Sequence, residues 1–523
     1  MSASAPSAAV AAAWRPAANP WLIALVATMA PFMEVLDSTI VNVSLPHIAG
    51  SMSASVQDVT WTLTSYLLAN GIVLPISGWL SDFFGRRRFF LVCIAMFTLC
   101  SLLCGLAGSL WQLILFRLLQ GFFGGGLQPT QQSILLDTFP PSQRAKAFGM
   151  TAIAVVIGPV LGPTLGGFIT DNLSWRWIFL INVPIGIIAF FASAMFVEDP
   201  PWAHARRRRL DLIGLGLVAL GFGALQITLD RGQDLDWFQS NFILATAAIA
   251  FVALVSAALW LFYTPTPIVN LPLIKDRNFA LGCFMMGCMS MMLYASSILI
   301  PQMAQLVLGY DATWAGLVMS PGGLVAVFCI PIVGKLAGKV QLRFLVAVGF
   351  TILSMAMLRA YHWPPDVGFS TLVKVRMLQT FGLSFLFVPI STLAYVSMPK
   401  EHNNDGAALY AVVRNVAGSI GIALVSARIS TAQQGYMSHM SQHLTPLDQG
   451  YAMEMPRLIA GMARLGHPAS AVAGYLYQRL IVQSLTKAYD DVYLWCAVLS
   501  IMMVPLCLLF SKTRGGGRAR IGH

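Results

Sequence analysis

The sequence predicts an all-α integral membrane protein of fourteen transmembrane helices, arranged as two six-helix bundles plus two extra helices. Three observations lead there: too little charge for a soluble surface, a series of bilayer-length apolar runs, and an internal repeat. Of 523 residues, 57% are hydrophobic and only 10% charged. Soluble domains carry roughly 25% charged residues, so lipid must serve as part of the solvent.

The runs follow from length. A helix needs about 20 mostly apolar residues to cross the hydrocarbon core. Such stretches cover approximately 21–45, 58–80, 89–108, 111–136, 145–169, 176–197, 211–229, 241–263, 278–306, 313–334, 342–361, 368–396, 406–428 and 489–511. The first continues past Ala30 through Val35 to Leu45, which fits a spanning helix better than a cleaved signal.

The repeat supplies the two bundles. Asp58-Val-Thr-Trp61 recurs as Asp311-Ala-Thr-Trp314, and Pro75-Ile-Ser-Gly recurs as Pro331-Ile-Val-Gly. Arg117-Leu-Leu-Gln120 recurs as Arg376-Met-Leu-Gln379, in the same order. Three matches in register argue for duplicated halves, as in secondary transporters whose site lies between repeats. The expected organisation is a disordered cytoplasmic lead (1–20), a first bundle (21–197), a basic linker (198–210), the extra pair (211–263), a second bundle (264–511) and a cytoplasmic tail (512–523).

Charge sets orientation. The net charge of +11 is gathered in short clusters between apolar runs: Arg86–Arg88, Arg144 with Lys146, Arg206–Arg209, Lys275 with Arg277, and Lys339. The alternate loops at 46–57 and 307–312 hold no Lys or Arg. By the positive-inside rule both termini are cytoplasmic, and the clusters anchor topology rather than bind nucleic acid. Lys374 and Arg376 run against the rule. The connector 429–488 then falls outside as a solvated, partly helical cap. The eight cysteines lie in apolar runs without C-x-x-C, and the histidines lack ligand spacing, so neither disulfide nor metal nor cofactor is expected.

Ionisable groups inside a span are costly and mark function. Glu34 and Asp37, at i and i+3, share a face of the first helix. Removal from water favours a neutral carboxyl and a nearby arginine favours the charged form, a tension suited to reversible protonation. Arg117 and Arg414 are mid-helix and need a partner or a wet cavity. Gly158, Gly162 and Gly166, with Pro163 and Gly167 interleaved, permit close helix contact and a bend. Gly78, Asp82, Gly85 and Arg86 join the second and third helices in a tight turn. Soft aromatic and Met side chains, Tyr294, Met285, Phe385 and Phe387, are candidates for a midplane cavity wall together with Arg414. No G-x-x-x-x-G-K-S/T signature for nucleotide is present. An enzyme is not expected.

These motifs together resemble the major facilitator superfamily, and within it the fourteen-helix drug:proton antiporters of the EmrB/QacA type. Gly78 to Arg88 resembles the loop motif G-x-L-a-D-x-x-G-R-R/K; Leu113 to Gly121 resembles the fourth-helix R-x-x-Q-G motif. Gly158 to Gly167 resembles the antiporter motif G-x-x-x-G-P-x-x-G-G, and Leu36 to Pro46 the first-helix signature of the fourteen-helix branch. Trp175 to Pro184, Leu229 to Trp237 and Arg414 to Gly421 resemble the EmrB-like members. The resemblance implies multidrug efflux of hydrophobic or amphiphilic compounds from the bacterial inner membrane. It casts Asp37 as the proton-linked acid, Arg117 as its counterpart, and Asp82 with Arg86 as a cytoplasmic latch. It also implies an EmrA-like periplasmic adaptor and an outer-membrane channel, with 429–488 as docking surface. Glu34 departs from the pattern, where an amide is usual. The alternative on the same fold is a proton-coupled importer of an organic acid.

Overall fold

The computed structural model describes residues 16–200 and 211–511, apart from 266, 362, 365–366, 400–401, 446–447, 465–467 and 469–470. Most of the expected lead, the arginines at 206–209 and the tail at 512–523 lie outside the described residues.

Helix α1 (Pro20–Met52) starts where Asn19 accepts from the Trp21 N–H and Pro20 takes the first turn, where its missing N–H costs nothing. α2 (Val56–Phe84) is capped by Ser55, whose hydroxyl accepts from the Asp58 N–H. It ends at Gly85, whose φ of +84° is a conformation side chains rarely adopt. α3 (Arg86–Leu106) follows directly. α4 (Leu110–Gly124) and α5 (Leu127–Thr138) form one broken span, as do α7 (Trp177–Leu180) and α8 (Asn182–Phe196). Between them runs α6 (Pro141–Asn172), bent by 46° between Pro159 and Thr164. The proline-interrupted hydrogen-bond ladder accounts for the bend.

The extra pair is α9 (Leu212–Arg231) and α10 (Asn241–Tyr263). The second half comprises α11 (Arg277–Leu306), α12 (Ala312–Leu336), α13 (Leu342–Ala360), the broken span α14 (Phe369–Ser384) with α15 (Phe387–Ala394), α16 (Asn403–Ser441), α17 (Gln449–Arg464) and α18 (Ala471–Leu506). Among the described residues, thirteen helices are long and apolar enough to cross a membrane, and the bent α6 brings the number to fourteen. This is the span set read from the apolar runs.

The halves meet along two seams. In one, α6 packs against α12 and α15; in the other, α2 and α5 pack against α16. α9 leans on both α2 and α16, with α10 outside it. Exposed Phe251, Val252, Leu259 and Tyr263 on α10, with Phe191 and Met195 on α8, leave an apolar outer surface that suits lipid.

The long connector differs from expectation. α16 has 39 residues and α18 has 36, about 58 and 54 Å at 1.5 Å per residue, against a hydrocarbon core of about 30 Å. Both helices therefore continue well past the bilayer, and only 442–470 joins them, carrying the amphipathic α17. Arg376 is also not a loop charge. It is fully buried in α14, which explains its departure from the loop-charge pattern, while Lys374 is exposed.

Candidate functional site

Asp37 lies on α1 with no exposure. Its Oδ2 accepts from Arg117 Nη1 at 2.5 Å. Its Oδ1 accepts from Gln120 Nε2 at 3.1 Å and from Asn182 Nδ2 at 2.8 Å. Arg117, also fully buried on α4, donates through Nε to the Thr62 carbonyl at 3.2 Å and through Nη1 to Gln120 Oε1 at 2.9 Å. Its guanidinium carbon sits 4.2 Å from the Tyr66 ring centre, so an aromatic face takes part of the positive charge. Asn182 is held in turn by Ser101 at 3.1 Å. Donors from α4 and α8 thus converge on one carboxylate of α1, which is saturated by charged and amide groups.

Glu34, one turn earlier, has a different environment. Its Oε1 accepts from Asn70 Nδ2 at 2.9 Å, while Oε2 is buried without a hydrogen-bond partner. It lines a central cavity of about 120 Å³ between the halves. Tyr66, Asn70 and Gln128 line it from the first half, and Tyr294, Asn415 and Ser419 from the second. Gln226 of α9 completes the wall, its Oε1 within 3.4 Å of the Ser419 hydroxyl. The cavity is smaller than the roughly 300–1,000 Å³ typical of ligand pockets, so this state is contracted around its centre.

Of the residues expected to line the cavity, Tyr294 does so. Arg414 is buried on α16 beside Asn415, whose side-chain oxygen accepts from its Nε at 3.3 Å, and its charge acts on Glu34. Met285 and Phe387 are packed in the core of the second half and do not line this cavity. Phe385 is half-buried, its ring 5.3 Å from that of Phe381.

The glycines of α6 face α1. A side chain at Gly158 would meet Val35, at Gly162 Thr39, and at Gly166 the Ile40 carbonyl at 3.0 Å. Thr39 Oγ1 donates to the Gly158 carbonyl at 3.3 Å. Gly167 is buried on the same helix, and the Pro163 side chain lies outside the described residues. Thr164 points the other way, donating to the Gly316 carbonyl of α12 and sharing a 3.1 Å contact with the Ser320 hydroxyl.

At the end bearing Arg86–Arg88, the halves are fastened. Asn404 Nδ2 donates to Asp82 Oδ1 at 2.5 Å, and Ser133 bonds Asn404. Asn403 Nδ2 donates to Asp137 Oδ1 at 2.7 Å. Arg86, 1% exposed, pairs with Asp137 rather than with Asp82, and Asp199 accepts from the Arg87 N–H at 2.9 Å. A Cβ on Gly78 would stand 3.1 Å from the Asn404 carbonyl, which is why the turn into α16 can approach so closely. Asp137, Asn403 and Asn404 were not singled out in the sequence. Asn182 and Asn70 were not either, since neutral amides raise no flag in an apolar run; Gln120 stood out only through the repeat and the R-x-x-Q-G motif.

Comparison with known proteins bears directly on this arrangement. The family description "Major Facilitator Superfamily" matches residues 27–422. The chain belongs to the major facilitator superfamily. It is therefore a multi-pass membrane protein of a transporter family. The chain is 34% identical to the multidrug export protein EmrB of Escherichia coli K12, over 95% of this chain and 97% of that one. It is 33% identical to the fatty acid resistance protein FarB of Neisseria gonorrhoeae, over 94% and 96%. It is 30% identical to the colistin resistance protein EmrB of Acinetobacter baumannii, over 97% and 99%. Among solved structures, a bacterial homologue of the human lysosomal transporter Spinster, inward-facing and unoccupied, superposes with a TM-score of 0.51 at 16% identity, covering 94% of this chain and 98% of that one. That likeness confirms the major facilitator fold.

Proposed function

We propose that this protein is a proton-coupled antiporter that exports hydrophobic or amphiphilic toxic compounds. The observation that supports it best is the central cavity. It holds one incompletely satisfied carboxylate, Glu34, one helical turn from the buried Asp37–Arg117 pair, between halves that can separate. The exporters among its relatives point the same way.

With the Arg86–Arg88 end in the cytoplasm, as the charge bias requires, the fastened state described above is shut toward the cytoplasm. In the exchange cycle, a proton from outside enters the cavity and neutralises Glu34, which ends its interaction with Asn70 and Arg414 as a charged group. A cationic or polar-headed substrate held near that carboxylate is thereby released outward. When the halves reopen inside, the proton leaves to the cytoplasm and substrate enters. Asp37 transmits the change. Its donors come from α4 and α8, so a shift of α1 breaks or remakes them together.

Energetically, one charge crossing 100 mV yields about 2.3 kcal/mol, and each tenfold gradient takes about 1.4 kcal/mol. One proton per neutral substrate therefore sustains roughly a 50-fold gradient without nucleotide. The protruding α16–α18 hairpin offers a docking surface for a periplasmic adaptor leading to an outer-membrane channel, an assembly that goes with residence in a bacterial inner membrane.

Purified protein in liposomes with an imposed pH gradient is the test. Export against a concentration gradient that stops when the gradient is collapsed is the expected result; uphill movement without any pH or voltage difference refutes the reading. In cells, addition of a protonophore fills an exporter's cytoplasm with substrate and empties an importer's, which separates the organic-acid alternative.

A further inference from the structure

A second cavity, of about 420 Å³, lies between the turn after α9 and the helices α11, α16 and α18. It is at the end of the molecule opposite Arg86–Arg88. α16 runs there from the latch at Asn404, and Ser430 follows by about 39 Å of helix at 1.5 Å per residue. The two cavities share a face of α16. Ser419 lines the central one, while Ser426 and Gln433, at successive steps of seven residues, line the outer one. Two turns of helix return such positions to nearly the same side. The opposite wall follows the same order, with Gln226 of α9 at the central cavity and Gln233, just past α9, at the outer one.

The chemistry of the outer wall is uniform. Gln233, Gln302 and Gln433 bring amides, Ser426 and Ser430 hydroxyls, and Tyr489 a phenol. Leu306 and Ile481 add aliphatic surface. No charged side chain is among the described residues that line it, whereas the central cavity has Glu34. Tyr489 is 1% exposed, and its hydroxyl is buried with no hydrogen-bond partner among the described residues. An unpaired buried hydroxyl is destabilising, and at a cavity wall a ligand can relieve that. The volume falls within the roughly 300–1,000 Å³ of small-molecule sites, which the contracted central cavity does not reach.

We propose that the outer cavity is a second binding site, for uncharged amphiphiles that carry amide or hydroxyl groups on a short apolar chain. Amides and hydroxyls both donate and accept, so this wall can match such a head in several orientations. Nothing lining it pairs with an ammonium, so a cation released from Glu34 meets no second anionic hold on its way out. The place of this site on an export route rests on the function proposed above. Binding itself does not, and the test reads binding with no gradient imposed.

Full-length Ser430→Cys protein in nanodiscs is reacted with a membrane-impermeant maleimide. Seven native cysteines are buried and Cys329 is half-buried, and the labelling of protein without the substitution is subtracted. Octanoyl-N-methylglucamide, an amide-linked polyol on a short alkyl chain, is added below its micellar concentration. It should slow labelling saturably, about fivefold at about four times its Kd. Adding Tyr489→Phe should raise the concentration needed about fivefold, the worth of one net hydrogen bond. The thermal midpoint should hold, because the hydroxyl removed has no partner. Octyltrimethylammonium, with a chain of the same length and a charged head, should protect far less. Absence of protection by the glucamide overturns the proposal, and so does equal protection in Tyr489→Phe. Protection by the ammonium at the same potency would show an apolar crevice only and refute the site. A wild type that fails to export in the liposome test would remove the transport reading and leave these outcomes unaltered.

Discussion

At the scale of residues, two acids three positions apart on α1 sit in unlike surroundings, which suits them to separate tasks. Asp37 receives three donors and Glu34 one. A saturated carboxylate resists change, and a cavity carboxylate with a free oxygen can accept a proton. Glu34→Gln is therefore expected to abolish uphill export in liposomes while downhill movement of substrate stays within about twofold. Equal uphill export in the variant would remove Glu34 from the coupling. Asp37→Asn has a further cost, since it leaves Arg117 buried without a counter-charge. Breaking such a pair costs about 3–5 kcal/mol, so the thermal midpoint should fall. Adding Arg117→Met to Asp37→Asn should recover most of that loss without recovering uphill export. If the double variant is no more stable than the single one, the pair is not what the network depends on.

At the scale of elements, legibility followed locality. Asp37, Glu34 and Arg117 were visible because a charge inside an apolar run is conspicuous without knowledge of any neighbour. Gln120 showed through the repeat, but its bond to Asp37, and Asn182 altogether, became visible only when α4 and α8 were placed against α1. Asp137 falls just past the 111–136 run and drew no notice, and only the fold sets it between Arg86 and Asn403. The wall residues were uncertain for another reason: α11 beyond its first turn and the stretch around Phe385 and Phe387 carry no charge, so sequence cannot say which face turns inward, and Met285 turned to the core. The repeat was legible but imperfect. Asp58 lies in the first turn of α2, whereas Asp311 is the capping residue of α12 itself. For the latch, Asn404→Ala removes the bonds to Asp82 and Ser133. Spin labels placed across the Arg86–Arg88 end should then report a larger population of separated halves. An unchanged distance distribution would show that the remaining contacts suffice. For the α1–α6 face, Gly162→Val places a branched side chain where Thr39 already lies. Overpacking of this kind typically costs about 1–3 kcal/mol, and transport should fall at least about tenfold while the protein still reaches the membrane. Normal export by this variant would mean that the two helices need not touch.

At the scale of the whole molecule, hydropathy located every span but misjudged where α16 and α18 end. Polar residues beyond 428 mark the change of solvent from lipid to water, and a helix can run through that change unbroken. Because Ile429, Ala432, Leu485 and Ala488 are packed in the core of the second half, cutting 429–488 would damage the bundle itself. The informative deletion is 442–470 replaced by a short linker. It should abolish resistance in cells and leave liposome transport intact; loss of both would place that segment's role inside the transporter rather than at a docking face. The two sides of α6 also behave unlike each other. Toward α1 it presents bare backbone to Val35 and Ile40, contacts that water cannot replace. Toward α12, Thr164 presents a hydroxyl to a carbonyl and another hydroxyl, contacts that water reproduces almost without loss, while Ala152, Val155 and Val156 share an apolar cluster with Ile330 and Val333. Parting of the halves is therefore expected to start at the Thr164 end of α6, where water can stand in for what is lost, with α6 held to the first half by its glycine face.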